Sequence, residues 1–266
     1  MIVIGERLNA TNKSVGEALR ARDADSIKDL ARQQADAGAD YLDCNAGRKA
    51  EDEVADMQWL IRTAREVTEL PLCIDSPNPD ALAAGLDVYE GAPPILNSVT
   101  AEAAKMDRVL DLAVQAKARI IALCLSDEGM PDSEGDREGV AKQLIDAALA
   151  KGISADDIFV DPVVLTVSAA GEAGPLCIAA VRAVRHAHPD VHITAGVSNV
   201  SFGLPSRRLL NRTFLALLMG AGLDAAIIDP TDPDIMSTWR AAEALLNRDE
   251  MCLNYIQASR DDKLVE

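Results

Sequence analysis

The sequence predicts an α/β fold, a single (β/α)8 TIM barrel, in which eight parallel strands close on themselves inside a ring of helices. Three observations predict it. Eight short strand-like apolar runs occur along the 266 residues. Helical patterns rich in Ala, Leu, Glu, Arg and Lys separate them, and apolar strands alternating with helices build a parallel sheet covered on its faces. No Gly-rich phosphate loop follows the first run, which continues as GERLN over residues 5–9, whereas an open doubly wound sheet usually carries one there. No linker, low-complexity tract or clear repeat divides the chain, so residues 1–266 read as one domain.

Taken in order, each run ends in polar residues. The first, Ile2–Gly5, leads into Glu6, Arg7 and Asn9. The segment DADSIKDLARQQADAGA (residues 23–39) sets Ile27, Leu30, Ala31 and Gln34 at helical spacing, with Gly38 near its end. The second run, Tyr41–Asn45, carries Asp43 and Asn45, and the third, Leu72–Ser76, stops at Asp75 and Ser76 before two prolines. Asn97 and Ser98 lie in Ile95–Val99, Ser126 closes Ile120–Ser126, and Asp161 sits late in Ile158–Val164. Ser198 and Asn199 end Ile193–Asn199, and Asp229 comes near the end of Ala225–Pro230. In a barrel all of these converge on the carboxyl-terminal rim, where barrel enzymes place their chemistry.

Composition removes several classes of function. A net charge of −17 argues against binding a nucleic-acid backbone, and 3% aromatic content against base-stacking platforms. No apolar run approaches the ~20 residues that span a bilayer, and the start MIVIGERLN has no signal-peptide pattern, so a cytoplasmic location is expected. The five cysteines are scattered without metal-finger spacing and read as reduced and structural. Only three histidines occur, and His186 and His188 lie at the helix end that opens VRHAHPDVHI, which argues against a histidine-based metal site.

A lone Asp or Asn at a strand end is more often a turn or cap residue than a ligand, and Asp43 and Asp229 can be read in that way. Eight polar strand tips together are harder to explain so, because capping does not demand Asp or Asn inside apolar runs. A buried unpaired carboxylate is costly. Asp75, Asn97 and Asp161 therefore suggest a pocket that takes donors from its ligand, which suits a heterocycle with several N–H groups. Magnesium held by Asp75, Asp161 and water is the competing reading.

The motifs GERLNAT, AGADYLDCNAG, LCIDS, ILNSV, FVDPVV, GVSNVSFGLPSRRLLNRTFL and GLDAAIIDP occur in the order and spacing of the pterin-binding methyltransferases. The chain resembles methyltetrahydrofolate:corrinoid/iron–sulfur protein methyltransferases and is similar to the folate-binding module of cobalamin-dependent methionine synthase. The resemblance covers essentially the whole chain, and GVSNVSFG with NRTFL is its most specific part. It implies a cytoplasmic homodimer in one-carbon metabolism that moves a methyl group between N5 of 5-methyltetrahydrofolate and the cobalt of a corrinoid (cobalamin). The direction is left open. No cobalamin-binding motif is visible, so the corrinoid is expected on a separate partner protein, and no bound metal is expected.

By the same resemblance, Asp75, Asn97 and Asp161 hold the pterin ring, and Asn199 is the catalytic amide. Gly196 and Ser198 give close backbone approach and position Asn199. Arg207, in the loop after the seventh strand, lies near the folate, with Arg208 beside it as an alternative. Phe202 departs from the acetogen-type enzymes, which carry a polar residue there, and matches the methionine synthases. Glu6 and Asn9 recur in the family motif with either a rim-structural or a ligand role. The alternatives are a dihydropteroate synthase-like enzyme and a non-catalytic folate-binding module. Against the first, the loop NATNKSVGE lacks that enzyme's phosphate-handling pattern and the last strand ends IIDPTDPD without Lys or Arg. Against the second stands an intact GVSN.

Overall fold

In the computed structural model, which describes residues 1–47 and 50–265, the eight runs form one eight-stranded sheet. The chain order is β1 (Ile2–Asn9), α1 (Lys13–Ala21), α2 (Ala24–Asp36), β2 (Tyr41–Asn45), α3 (Ala50–Arg65), β3 (Leu72–Asp75), α4 (Pro79–Val88), β4 (Ile95–Ala101) and α5 (Met106–Ala116). It continues with β5 (Arg119–Ser126), α6 (Glu134–Ala150), β6 (Ile158–Asp161), α7 (Ala173–Ala187), β7 (His192–Ile193), α8 (Arg207–Ala221), β8 (Ala225–Ile228), α9 (Pro233–Leu245) and α10 (Leu253–Arg260). Local chemistry sets the helix starts. Asp23, Asn78, Ser133 and Asp232 each accept a backbone N–H of the first turn, and Pro79 and Pro233 sit where a missing N–H costs nothing.

All neighbouring strands pair in parallel, in the order β7-β6-β5-β4-β3-β2-β1-β8. The sheet closes because β7 and β8 also meet: Asp224 N donates to Ile193 O (3.2 Å), Ile227 N donates to Ala195 O (2.9 Å), and Gly196 bridges to Ile227. Closure leaves no open edge, and it turns alternate residues of every strand inward. The inward set of one level is Ile4, Tyr41, Cys73, Ile95, Ile121, Phe159 and Ala225, an apolar plug inside the barrel. Residues between them, such as Leu42, Leu72, Ile74, Leu96 and Val160, face outward against Leu60, Ile61, Leu144, Val181 and Leu215 of the helices.

Two residues further along each strand, the inward positions become Glu6, Asp43, Asp75, Asn97, Leu123, Asp161 and Ile227. The polar tips are thus the next layer above the plug, on the rim predicted for them. Register places them side by side, with Asp75 opposite Asn97, Asn45 opposite Asp75, and Leu123 opposite Asp161.

Four strands are shorter than the sequence suggests: the third and eighth stop one and two residues early, at Asp75 and Ile228, and the sixth and seventh by more. The seventh is only His192–Ile193, so Ser198 and Asn199 do not end a strand; they lie in a 3₁₀ turn over Val197–Ser201. The backbone there is satisfied locally, as Asn199 N donates to Gly196 O (3.2 Å) and Phe202 N to Asn199 O (3.2 Å), which removes it from the ladder. The sixth stops at Asp161, because Pro162 has no N–H to give and Val163 adopts a positive φ of 66°. Arg207 opens α8 rather than lying in a loop. Four cysteines are buried and free, and burial pushes their thiols up. Among the described residues, no helix is long and apolar enough to cross a membrane.

Candidate functional site

A cavity of about 650 Å³ opens at the carboxyl-terminal rim. Asp75, Asn97, Asp161, Gly196, Ser198, Asn199 and Arg207, the seven residues singled out in the sequence, all line it, together with Glu6, Asp43 and Asp229. They arrive from seven different strands or the segments that follow them.

One wall is acidic. Asp161 is 7% exposed, and burial pushes its carboxyl up to about 6, against the N–H groups of Val163 and Gly196 and the charge of Arg137. Its Oδ1 accepts from Val163 N at 2.8 Å. Asp75 Oδ2 accepts from Asn45 Nδ2 at 2.7 Å, and burial raises its carboxyl as well. Asp43 is 2% exposed and raised well above the usual carboxylate range, first by burial and then by the Asp75 charge. Asn97 Nδ2 approaches Asp43 Oδ1 at 3.4 Å, and a cis peptide joins Asn97 to Ser98. Ser76 is turned out of the cavity: its hydroxyl donates to Glu53 and accepts from Asn78 N.

The position of Asp161 depends on a buried arginine that its sequence did not mark. Arg137 of α6 is 1% exposed and donates to Pro162 O (2.7 Å), Val163 O (2.8 Å) and Pro131 O (3.3 Å), fixing the backbone that bonds Asp161. Arg137→Met should lower stability by about 2–4 kcal/mol, since buried carbonyls lose their donors. Urea unfolding reads the loss, and an unchanged midpoint would show that these bonds do not hold the segment.

Beside Asp161, after β7, the wall is continued by the Val197–Ser201 turn. Gly196 makes room for the Asn199 amide, because a Cβ there would lie 3.0 Å from Asn199 Nδ2. Arg207 folds back onto the turn, donating from Nη2 to Ser198 O (2.8 Å) and from Nε to Ser201 Oγ (3.0 Å), with its guanidinium 5.8 Å from the centre of the Phe202 ring. Arg208 pairs instead with Asp232 at 3.3 Å. Phe202 is 67% exposed at the rim. Ser198 Oγ donates to Glu6 Oε2 at 2.9 Å, and burial pushes the Glu6 carboxyl up to about 7.

Asp43, which the sequence alone allows to be read as a turn or cap residue, is instead a buried residue of the cavity lining. Its alternation with Tyr41 places it inward at the same level as Asp75, a signal present in YLDCN. Asp229 behaves as a turn residue, accepting from Thr231 N (2.9 Å) and Thr231 Oγ1 (2.6 Å), although it also borders the cavity. Among the described residues, no group of three or more His, Cys, Asp or Glu is arranged to hold a metal ion.

The family described as pterin binding enzyme matches residues 5–229. The chain is 36% identical over 266 residues to a methylcorrinoid:tetrahydrofolate methyltransferase of Eubacterium limosum, covering 99% of this chain and 98% of that protein. It is 33% identical over 241 residues to the methionine synthase of Mycobacterium tuberculosis, covering 86% of this chain but 20% of that longer protein. A dihydropteroate synthase from Xanthomonas albilineans in complex with 7,8-dihydropteroate superposes with a TM-score of 0.71 at 20% identity, covering 91% of this chain and 94% of the other. At that identity the likeness is one of fold.

Proposed function

Because the chain belongs to the family of pterin binding enzymes, we propose that it transfers a methyl group between N5 of 5-methyltetrahydrofolate and the cobalt of a corrinoid. The corrinoid enters as a substrate carried by a separate protein, and residues 1–266 act as one pterin-binding barrel domain. The observation that carries the reading is one open rim cavity lined both by buried acids and by a neutral amide, Asn199. The full-length identity to the Eubacterium limosum enzyme supports it. No Lys or Arg stands at the end of β8, where the chain reads IIDPTDPD, so a pyrophosphate-releasing reaction has less support.

In this reading Asp161 accepts the pterin N3–H and the exocyclic amine side by side, using lone pairs left free by Val163. Asp75 and Asn97 meet the remaining polar atoms of the ring. Acids also select for such a ligand, because a molecule without those donors would leave them unpaired. A tertiary amine is a poor leaving group, so N5 needs a hydrogen bond and then a proton as its methyl group departs. Asn199 donates that hydrogen bond, and Gly196, Ser198 and Arg207 hold the turn that aims it. A homodimer is part of the same proposal, as expected from the resemblance.

Formation of methylcob(III)alamin from cob(I)alamin and methyltetrahydrofolate, followed optically, tests the function, and no spectral change with folded protein would reject it. Activity is expected to survive EDTA and dialysis. A loss restored by magnesium or zinc would instead make Asp75 and Asp161 metal ligands.

A further inference from the structure

Glu6 occupies a position that the pterin-binding residues do not. It is the third inward residue of β1, after Ile2 and Ile4, and it borders two cavities. One is the rim cavity; the other, of about 640 Å³, lies beside α1, with Arg7, Asn12, Lys13 and Glu17 around it. Its Oε2 accepts the Ser198 hydroxyl at 2.9 Å, and Ser198 precedes Asn199 in the turn. A methylated folate with a corrinoid protein docked over it would cover the rim cavity; the second cavity shares Glu6, Asn12 and Asp229 with it and continues along Lys13, Ser14 and Glu17.

We infer that Glu6 is the proton reservoir of methyl transfer, exchanging a proton with N5 through the Ser198 hydroxyl and refilling from water in the second cavity. The inference rests on the proposed function. The amide of Asn199 does not titrate near neutral pH, and Asp75 and Asp161 are engaged by the pterin. Burial pushes Glu6 up to about 7, opposed by the Ser198 hydrogen bond and by Arg207 and reinforced by Asp229. Asp43 of the neighbouring strand β2, its own carboxyl raised by burial, stands beside it. Arg7 approaches Asp229 at 3.9 Å and so tempers that neighbour's charge.

Toward cobalt, the C–N bond breaks and its electron pair stays on N5. The methyl group is taken by Co(I), which supplies both bonding electrons and becomes methyl-Co(III), and the proton passes from the Glu6 carboxyl through Ser198 to N5. In reverse, the N5 lone pair bonds the methyl carbon, the Co–C pair returns to cobalt, and the N5 proton goes to the Glu6 carboxylate. The acid must be protonated in the first direction, so that rate should fall as pH rises through about 7. The reverse rate should rise over the same interval.

The test is single-turnover methyl transfer to cob(I)alamin between pH 5.5 and 8.5, with calorimetric binding of methyltetrahydrofolate alongside. Glu6→Gln keeps an acceptor for Ser198 but cannot titrate. It should bind folate as the wild type does, lose roughly 10²-fold in rate at pH 6, and lose the limb near 7. Glu6→Asp should recover part of the rate together with a pH limb. A Glu6→Gln protein that keeps both rate and limb overturns the inference alone, as does a limb moved only by Asp161→Asn. A wild type that forms no methylcobalamin overturns the functional reading and the inference with it.

Discussion

Replacing Asn199 by Ala is expected to cut the methyl-transfer rate by roughly 10²–10³, the usual loss for one preorganised donor, while folate affinity changes far less. The reason is the timing of the interaction. Methylated N5 is a weak acceptor in the ground state, and it becomes a strong one only as the methyl group leaves with the C–N bond half broken. An interaction confined to the transition state lowers turnover when removed and leaves ground-state binding nearly intact. The amide is aimed by its surroundings: Arg207 anchors the turn through Ser198 O and Ser201 Oγ, and the missing side chain of Gly196 leaves the space beside Asn199 Nδ2. Single-turnover kinetics against cob(I)alamin, paired with binding of methyltetrahydrofolate, separates the two terms. A collapse in affinity with an unchanged bound-state rate would make Asn199 a binding residue. No change in either would remove it from the site.

What was legible in the sequence, and what was not, follows from the range of the forces involved. A strand buried on both faces must be apolar, so all eight runs announced themselves, and a polar residue inside such a run carried information because burying it is costly. Asp75, Asn97 and Asp161 were readable for that reason, and Asp43 was equally readable from its alternation with Tyr41. The end of β7 was not. Whether GVSN continues as strand or curls into a 3₁₀ turn depends on Arg207, which lies several residues on and reaches back to Ser198 O. Arg137 was hidden for the same kind of reason. On a helix it looks like any surface cation, and only the fold brings three carbonyls to it in the interior. The raised carboxyl of Glu6 likewise needs the closed barrel, since burial is its first cause.

Removing the Asp161 carboxylate should weaken folate binding by several kcal/mol, because hydrogen bonds to a charged group are typically worth ~1.5–3 kcal/mol each and Asp161 is expected to accept two. Asp161→Ala tests this directly, but it also strips the acceptor from Val163 N, which would add a structural loss of about 1–3 kcal/mol. Asp161→Asn is the cleaner variant. Its amide oxygen can still accept from Val163, while its NH2 points donors at the donors of the pterin. The charge makes a second expectation possible. In the free protein burial holds Asp161 at about 6, and a ligand that offers two N–H groups favours the ionised form. Affinity should therefore rise as pH rises through about 6 and level off above it. Below that value it should weaken by up to about tenfold per pH unit for each proton that must be lost. Asp161→Asn should flatten this slope and leave only the share contributed by Asp75, whose carboxyl is raised in the same direction. Calorimetric titration with methyltetrahydrofolate at several pH values measures both the loss and the slope. Wild-type affinity in the Asn variant would take Asp161 out of the pterin site, and a slope unchanged by the substitution would place the titrating group elsewhere.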